Sequence, residues 1–216
     1  MKITYEIDGI KCNEYDEEDP ILSKNIAEDL INHVKNFNLP DIETKLEVSH
    51  LIEDDQIEKF INLIDENIGN LYELHKGEDW KEEKEVELTE PGLIFAWFEQ
   101  ENDLVGYLCF KLCFDDDENL VLYLYEIHVS KTYQGNGLGK LLICQFHELV
   151  KNLKNSDNTL YQQIYGSSLT VFSDNLRALN WYKSLDYKLI TNSPVDKTLR
   201  NGKIIKPQYY LMTKPI

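Results

Sequence analysis

The 216-residue sequence predicts an α/β fold: a mixed, mostly antiparallel sheet flanked by helices, with an N-terminal helical and extended arm. Three observations lead there. Apolar residues recur at helical spacing along the chain as far as Pro91. From Leu93 the period changes to strand-like runs rich in aromatic and β-branched residues. A glycine-rich turn then joins one such run to an amphipathic helix.

Residues 1–20 gather Glu14, Asp16, Glu17, Glu18 and Asp19 ahead of Pro20, and read as an extended, partly disordered arm. Residues 21–37 set Leu22, Ile26, Leu30, Ile31 and Val34 on one helical face. Ser23 is the candidate cap and Asn38-Leu39-Pro40 the stop. A short strand is expected over 43–50. Residues 54–75 repeat the helical pattern through Ile57, Phe60, Ile61, Ile64, Ile68 and Leu71, with Gly69 inside the helix or breaking it. Residues 78–87, charged around a single Trp80, read as a short exposed helix. Leu93–Phe98 and Leu104–Phe114 flank the turn Glu101-Asn102-Asp103 and form a hairpin. The acidic turn Asp115–Asn119 leads to a third strand, Leu120–Val129, which completes a meander. Residues 137–154 then carry Leu138, Leu141, Leu142, Phe146, Leu149, Val150 and Leu153 on one face. Leu169–Phe172 is a strand, Asn175–Leu185 a helix, and Tyr187–Thr191 and Tyr209–Thr213 the last strands.

With 42% hydrophobic residues and 13 tyrosines, the chain has material for a full core. No run of about 18 apolar residues is present, and the acidic N-terminus lacks the apolar stretch of a secretory signal, so neither a membrane partner nor secretion is expected. Cys12, Cys109, Cys113 and Cys144 show no metal-binding spacing and read as reduced, mostly buried thiols of an intracellular protein; no metal is expected. A net charge of −17 argues against direct nucleic-acid binding, which needs a basic face. The acidic surface either steers a basic peptide or serves solubility alone.

The most informative segment is Gln134-Gly135-Asn136-Gly137-Leu138-Gly139-Lys140, between a strand and a helix. Glycines there allow positive φ and close backbone approach. Successive N–H groups at a helix N-terminus then converge on an anion. A Walker loop is excluded because Lys140 is followed by Leu141, and a Rossmann fingerprint because Gly135, Gly137 and Gly139 are wrongly spaced and follow a meander. The remaining pattern, Q/R-x-x-G-x-G/A, resembles the acetyl-CoA pyrophosphate signature of the GNAT superfamily. The likeness spans roughly residues 45–213 and implies the GNAT fold, dividing the chain into an arm and helix over 1–42 and an acetyltransferase domain over 43–216.

Leu122–Val129, Leu169–Phe172 with Asn175, and Leu71-Tyr72-Glu73 with Trp80-Lys81 are similar to segments of the NatD enzymes. These are N-α-acetyltransferases of histones 4 and 2A, whose tails begin Ser-Gly-Arg-Gly. The arm and residues 192–206, basic through Lys197, Arg200, Lys203 and Lys206, match least. The resemblance implies acetyl-CoA as co-substrate and a catalytic pair, Glu126 as a base acting through water and Tyr125 beside it. It also implies Tyr72, Asp115, Tyr125, Thr170 and Tyr209 around the acceptor. Backbone of Ile127, His128 and Val129 would pair with pantetheine. Gln134, Gly135, Asn136, Gly137, Leu138, Gly139 and Lys140 would hold the pyrophosphate, with Asn175 and Ser193 also touching the cofactor. Tyr182 stands as packing or as a secondary acid, and His128 by itself reads more readily as packing than as a base. Histone tails are the implied partners, in a monomer of nucleus and cytoplasm, with ribosome association a further expectation. Tyr125 and Glu126 can share one face only if their strand bulges. Two alternatives stay open: an enzyme for another N-terminus, a lysine or a small amine, and a non-catalytic acyl-CoA-binding subunit.

Overall fold

A computed structural model describes residues 5–7, 10–12, 19–34, 37, 39 and 42–216. Most of the expected acidic arm lies outside the described residues. Its described parts are two short strands, β1 (Tyr5–Ile7) and β2 (Ile10–Cys12), paired antiparallel. The elements that follow are α1 (Pro20–Leu30), β3 (Glu43–Val48), α2 (Asp54–Lys76), α3 (Trp80–Leu88), β4 (Ile94–Gln100), β5 (Asp103–Phe114) and β6 (Leu120–Val129). Then come α4 (Leu138–Lys154), β7 (Gly166–Phe172), α5 (Leu176–Ser184), β8 (Lys188–Leu189), β9 (Lys197–Thr198), β10 (Ile204–Ile205) and β11 (Tyr209–Pro215).

Seven strands form the main sheet in the order β3-β4-β5-β6-β7-β11-β8. Every described pairing in it is antiparallel except β6 with β7. Alternation divides the strand residues between two cores. Ile94, Ala96, Phe98, Leu108, Phe110, Leu122 and Leu124 join the helices α1, α4 and α5 on one side. Phe95, Trp97, Tyr107 and Cys109 meet α2 and α3 on the other. The β4–β5 turn places Glu101 and Asn102 at φ 53° and 70°, the left-handed pair a two-residue hairpin requires.

Several local expectations change. The cap of α1 is Asp19, whose carboxylate accepts from Ile21 N (2.9 Å) and Leu22 N (3.2 Å); Ser23 lies buried inside the helix. That helix ends at Leu30, followed by a 3₁₀ turn over Ile31–His33, rather than running to residue 37. The segment around Trp80 is not an exposed helix. Trp80, Lys84 and Leu88 recur every fourth residue and are buried against α2 and the sheet. Cys109 and Cys113 are buried but Cys144 is exposed. Residues 192–206 contain the small β9–β10 hairpin, whose two-residue strands leave too little pattern to be read in sequence.

Candidate active site

The site arises where the sheet comes apart. β6 and β7 pair in parallel only from Val121 opposite Gly166 to Leu124 opposite Leu169. Beyond that point β6 stays with β5 while β7 stays with β11. A cavity of about 890 Å³ opens between Tyr125–Val129 of β6 and Thr170–Phe172 of β7. Across β5, Cys109 faces Glu126 and Phe110 faces Leu124, so Tyr125 is the extra residue of a β-bulge. The bulge is what lets Tyr125 and Glu126, neighbours that a regular strand would point apart, both line the cavity.

Glu126 is buried, and its carboxylate is densely engaged. Tyr72 Oη donates to Oε1 (3.0 Å), Lys84 Nζ also donates to Oε1 (2.9 Å), and His128 Nε2 lies 2.7 Å from Oε2. Burial alone would raise this carboxyl, but Lys84 and His128 outweigh it and lower it to about 2. Burial likewise works against the Lys84 ammonium, yet Glu126, Tyr72 and Glu87 hold it above the ordinary lysine range. Lys84 also bonds Glu87 Oε1 at 2.7 Å and sits 4.9 Å from the Tyr72 ring centre. Tyr72 in turn stacks on Trp80, 4.7 Å between ring centres. A carboxylate offers about four acceptor positions. Three are filled here, leaving one on Oε2 for a water or an amine.

At the other end of the cavity the glycine turn opens α4. Gly135 and Gly137 both adopt φ 82°, where a side chain is strained, and no side chain caps the helix. Gln134, Gly135, Gly137, Leu138, Gly139 and Lys140 line the cavity, and Arg177 from α5 adds a second positive charge there. In a chain of net charge −17, this helix end with its two cations is equipped for an anionic group. The Gln134 side chain latches the turn: Nε2 donates to Val129 O and to Asn67 Oδ1 (both 2.9 Å), while Oε1 accepts from Arg177 (3.2 Å).

Of the residues singled out in sequence, the cavity brings together Tyr72, Tyr125, Glu126, Ile127, His128, Val129, Thr170, Asn175 and Tyr209 with most of the turn. Asn175 also caps α5, accepting from Ala178 N at 3.1 Å. Tyr182 lines the cavity too, and burial pushes its phenol far enough up to keep the proton on. Three expected residues are placed elsewhere. Asp115 is buried and turned onto its own loop, accepting from Asp117 N (3.1 Å), Asn119 N (3.0 Å) and Ser168 Oγ (3.2 Å), because a turn carboxylate best satisfies the N–H groups it encloses. Ser193 is buried and accepts from Leu211 N (3.0 Å), fastening β11. Asn136 is exposed at the tip of the turn and does not line the cavity. Val129 O, already shared by Gln134 and Asn67, is less open to a ligand than the neighbouring Ile127 backbone.

Lys84, Asn67 and Arg177 were not anticipated. Lys84 was legible in principle, standing at i+4 from Trp80 and i−4 from Leu88. Asn67 lies three residues beyond Ile64 on the apolar stripe of α2, beside Ile68, whose φ −143° and ψ 18° kink the helix. A second cavity of about 440 Å³ shares Tyr123 and Tyr125 with the first and carries Glu90, Asp116 and Lys111.

The model of the acetyltransferase (GNAT) family matches residues 56–187. A curated relative, N-alpha-acetyltransferase 40 of Saccharomyces cerevisiae, is 27% identical over 179 residues covering 71% of this chain. The chain spans 61% of that relative's length. Among solved structures, the PaiA N-acetyltransferase of Thermoplasma acidophilum in complex with coenzyme A aligns with TM-score 0.51 at 13% identity, covering 81% of this chain and 99% of that one. Arabidopsis thaliana NAA60 in complex with a bisubstrate analogue aligns with TM-score 0.52 at 15% identity and the same coverage of each chain. At these identities the two structures establish a shared fold.

Proposed function

The chain belongs to the acetyltransferase (GNAT) family, and from that premise we propose that it moves the acetyl group of acetyl-CoA onto the N-terminal α-amine of a protein. One observation carries the reading. A buried carboxylate, Glu126, is carried by a strand bulge into the same cavity that ends at the anion-binding turn. The diphosphate of acetyl-CoA fits the Gly135–Lys140 turn with Lys140 and Arg177 beside it. The pantetheine arm would follow the edge of β6 that β7 leaves free, which brings the thioester toward Glu126.

An α-amine suits this site better than a lysine. Its ammonium, of pKa about 8 against about 10.4, is easier to deprotonate by roughly 3 kcal/mol whatever the base, and a carboxylate held well below its ordinary range is a weak base. A substantial fraction of α-amines, roughly a tenth or more, is already neutral near pH 7. Such an amine attacks directly, oriented through a water on the free lone pair of Glu126, with proximity lowering the remaining barrier. The C–N bond forms and the C–S bond breaks; the amine proton passes through that water to Glu126 and on to solvent, and the departing thiolate takes a proton from Tyr182, which solvent then restores.

The narrower acceptor class is the histone 4 and 2A tail beginning Ser-Gly-Arg-Gly. Two features support it: the NatD-like segments around Tyr72, Glu126 and Asn175, and the second cavity past Tyr123 and Tyr125, where Glu90 and Asp116 suit a basic side chain. The inward turn of Asp115 favours a second reading, acetylation of a different protein N-terminus. The test is acetylation of a peptide that begins Ser-Gly-Arg-Gly and carries a lysine farther along, with a free N-terminus, beside the same peptide with a blocked one, each read by mass spectrometry. The proposal expects product from the free peptide alone. Equal labelling of both would assign the activity to lysine. Faster turnover of an unrelated N-terminal peptide would reject the histone assignment while leaving α-amine chemistry intact.

A further inference from the structure

Between the phosphate-binding turn and Glu126 runs an unbroken line of side chains. Arg177 Nη1 donates to Gln134 Oε1 (3.2 Å), and Gln134 Nε2 donates to Asn67 Oδ1 (2.9 Å). Asn67 Nδ2 faces His128 Nδ1 (3.3 Å), and His128 Nε2 faces Glu126 Oε2 (2.7 Å). The amide orientation of Asn67 is fixed from two sides. Its oxygen is needed by Gln134, and its nitrogen is needed by Val129 O, to which it donates at 3.1 Å. The group facing His128 is therefore an N–H donor, and Nδ1 must present its lone pair. The ring proton is left on Nε2, aimed at the carboxylate. All four bonds then donate in the same direction, from the turn toward Glu126, so each polarises the next.

We propose that Asn67 is a positioning residue: it locks His128 in the neutral Nε2–H form and so ties the phosphate-binding turn to the Glu126 carboxylate. The groups around His128 are consistent with this. Glu126 lies on its own strand. Asn67 comes from α2, and Tyr107 from β5 stacks on the ring with 5.7 Å between centres. Lys84 of α3 and Tyr72 of α2 reach it only through Glu126, and Glu87 only through Lys84. Among the described residues no carboxylate bonds Nδ1, which faces the Asn67 amide. Removing the Asn67 donor frees Nδ1 to take a proton. Nε2–H then no longer has a fixed partner arrangement, and the carboxylate loses its orientation toward the acceptor.

The catalytic consequence rests on the function proposed above; the tautomer lock does not. The experiment therefore has two readouts. Protein with ¹⁵N-labelled histidine is compared as wild type, Asn67→Ala and Asn67→Asp, with His128→Gln to assign the signal. Long-range ¹H–¹⁵N spectra at neutral pH report which ring nitrogen carries the proton. Wild type is expected to show Nε2–H alone. Asn67→Ala should show a mixture of protonation states. Asn67→Asp, close to isosteric, should show a doubly protonated ring, because its carboxylate accepts from Nδ1. In turnover, Asn67→Ala is expected to lower kcat roughly tenfold or more, the scale of losing the orienting partner of a functional histidine, with the KM for acetyl-CoA nearly unchanged. An altered tautomer with unchanged kcat would uphold the lock and overturn the positioning role of Asn67 in turnover. The wild-type Nε2–H form persisting in both variants would overturn the lock.

Discussion

Lys84→Met tests the electrostatic frame of the site, because it removes one buried charge and leaves its partner. Lys84 and Glu126 are both nearly inaccessible and 2.9 Å apart. At an effective dielectric of about 20, unit charges at that separation attract by roughly 6 kcal/mol, equivalent to about 4 pKa units. Relaxation and water entry will recover part of this, so the Glu126 carboxyl should rise from about 2 into the range of about 4–6. Folding stability should fall by about 3–5 kcal/mol, the usual cost of breaking a buried pair from one side. Much of that loss should return in Lys84→Met combined with Glu126→Gln, where no charge is stranded. Urea denaturation at pH 7 measures the stability cycle, and the acid limb of kcat/KM measures the carboxyl. A single variant that loses less than about 1 kcal/mol, with no new inflection above pH 4, would refute this account of how Glu126 is held ionised.

Glu126→Gln alone should lower turnover by one to several orders of magnitude while calorimetric coenzyme A affinity stays within a few-fold, since the carboxylate is remote from the phosphate turn. Gly137→Ala meets no neighbouring atom but must hold φ 82°, so it should cost about 1 kcal/mol in stability and weaken coenzyme A binding, measured by denaturation and calorimetry on one sample. His147 is depressed to about 4 by burial, aided by Lys214 and Lys151, while its Nε2 meets Tyr187 Oη at 3.0 Å. Between about pH 6.5 and 4 the unfolded chain binds a proton that the folded chain refuses. Stability should therefore be full above about pH 6.5 and decline as the pH falls toward 4, by at most about 3 kcal/mol; His147→Gln should flatten that decline in urea titrations across the interval.

The meander of β4, β5 and β6 was legible because their apolar residues follow strand periodicity and tight turns separate them. The turn at Gly135–Gly139 was legible because glycine adopts without strain the positive φ found at residues 135 and 137, and several glycines cluster there. The bulge at Tyr125 could be posed as a condition but not located, since an extra residue leaves no mark in a run of apolar and aromatic side chains. The helix Trp80–Leu88 was misjudged because its many exposed glutamates conceal one buried stripe of three residues. Asp115 and Ser193 are placed outside the cavity because their side chains accept from backbone N–H groups, Asp115 from Asn119 in its own turn and Ser193 from Leu211 across to β11, and such pairings leave no mark in the sequence. The line from Arg177 to Glu126 joins residues as far apart in sequence as Asn67 and Gln134, and no local pattern reports such a meeting.

The central claim is that one cavity seats a diphosphate on the glycine turn and a thioester beside Glu126. A crystal structure grown with acetyl-CoA tests it most directly. Diphosphate oxygens within hydrogen-bonding distance of the Gly135–Lys140 amides, with the acetyl carbonyl in the cleft facing Glu126, is the predicted result. A cofactor seated away from that turn, or one whose thioester points out of the cleft between β6 and β7, would contradict it.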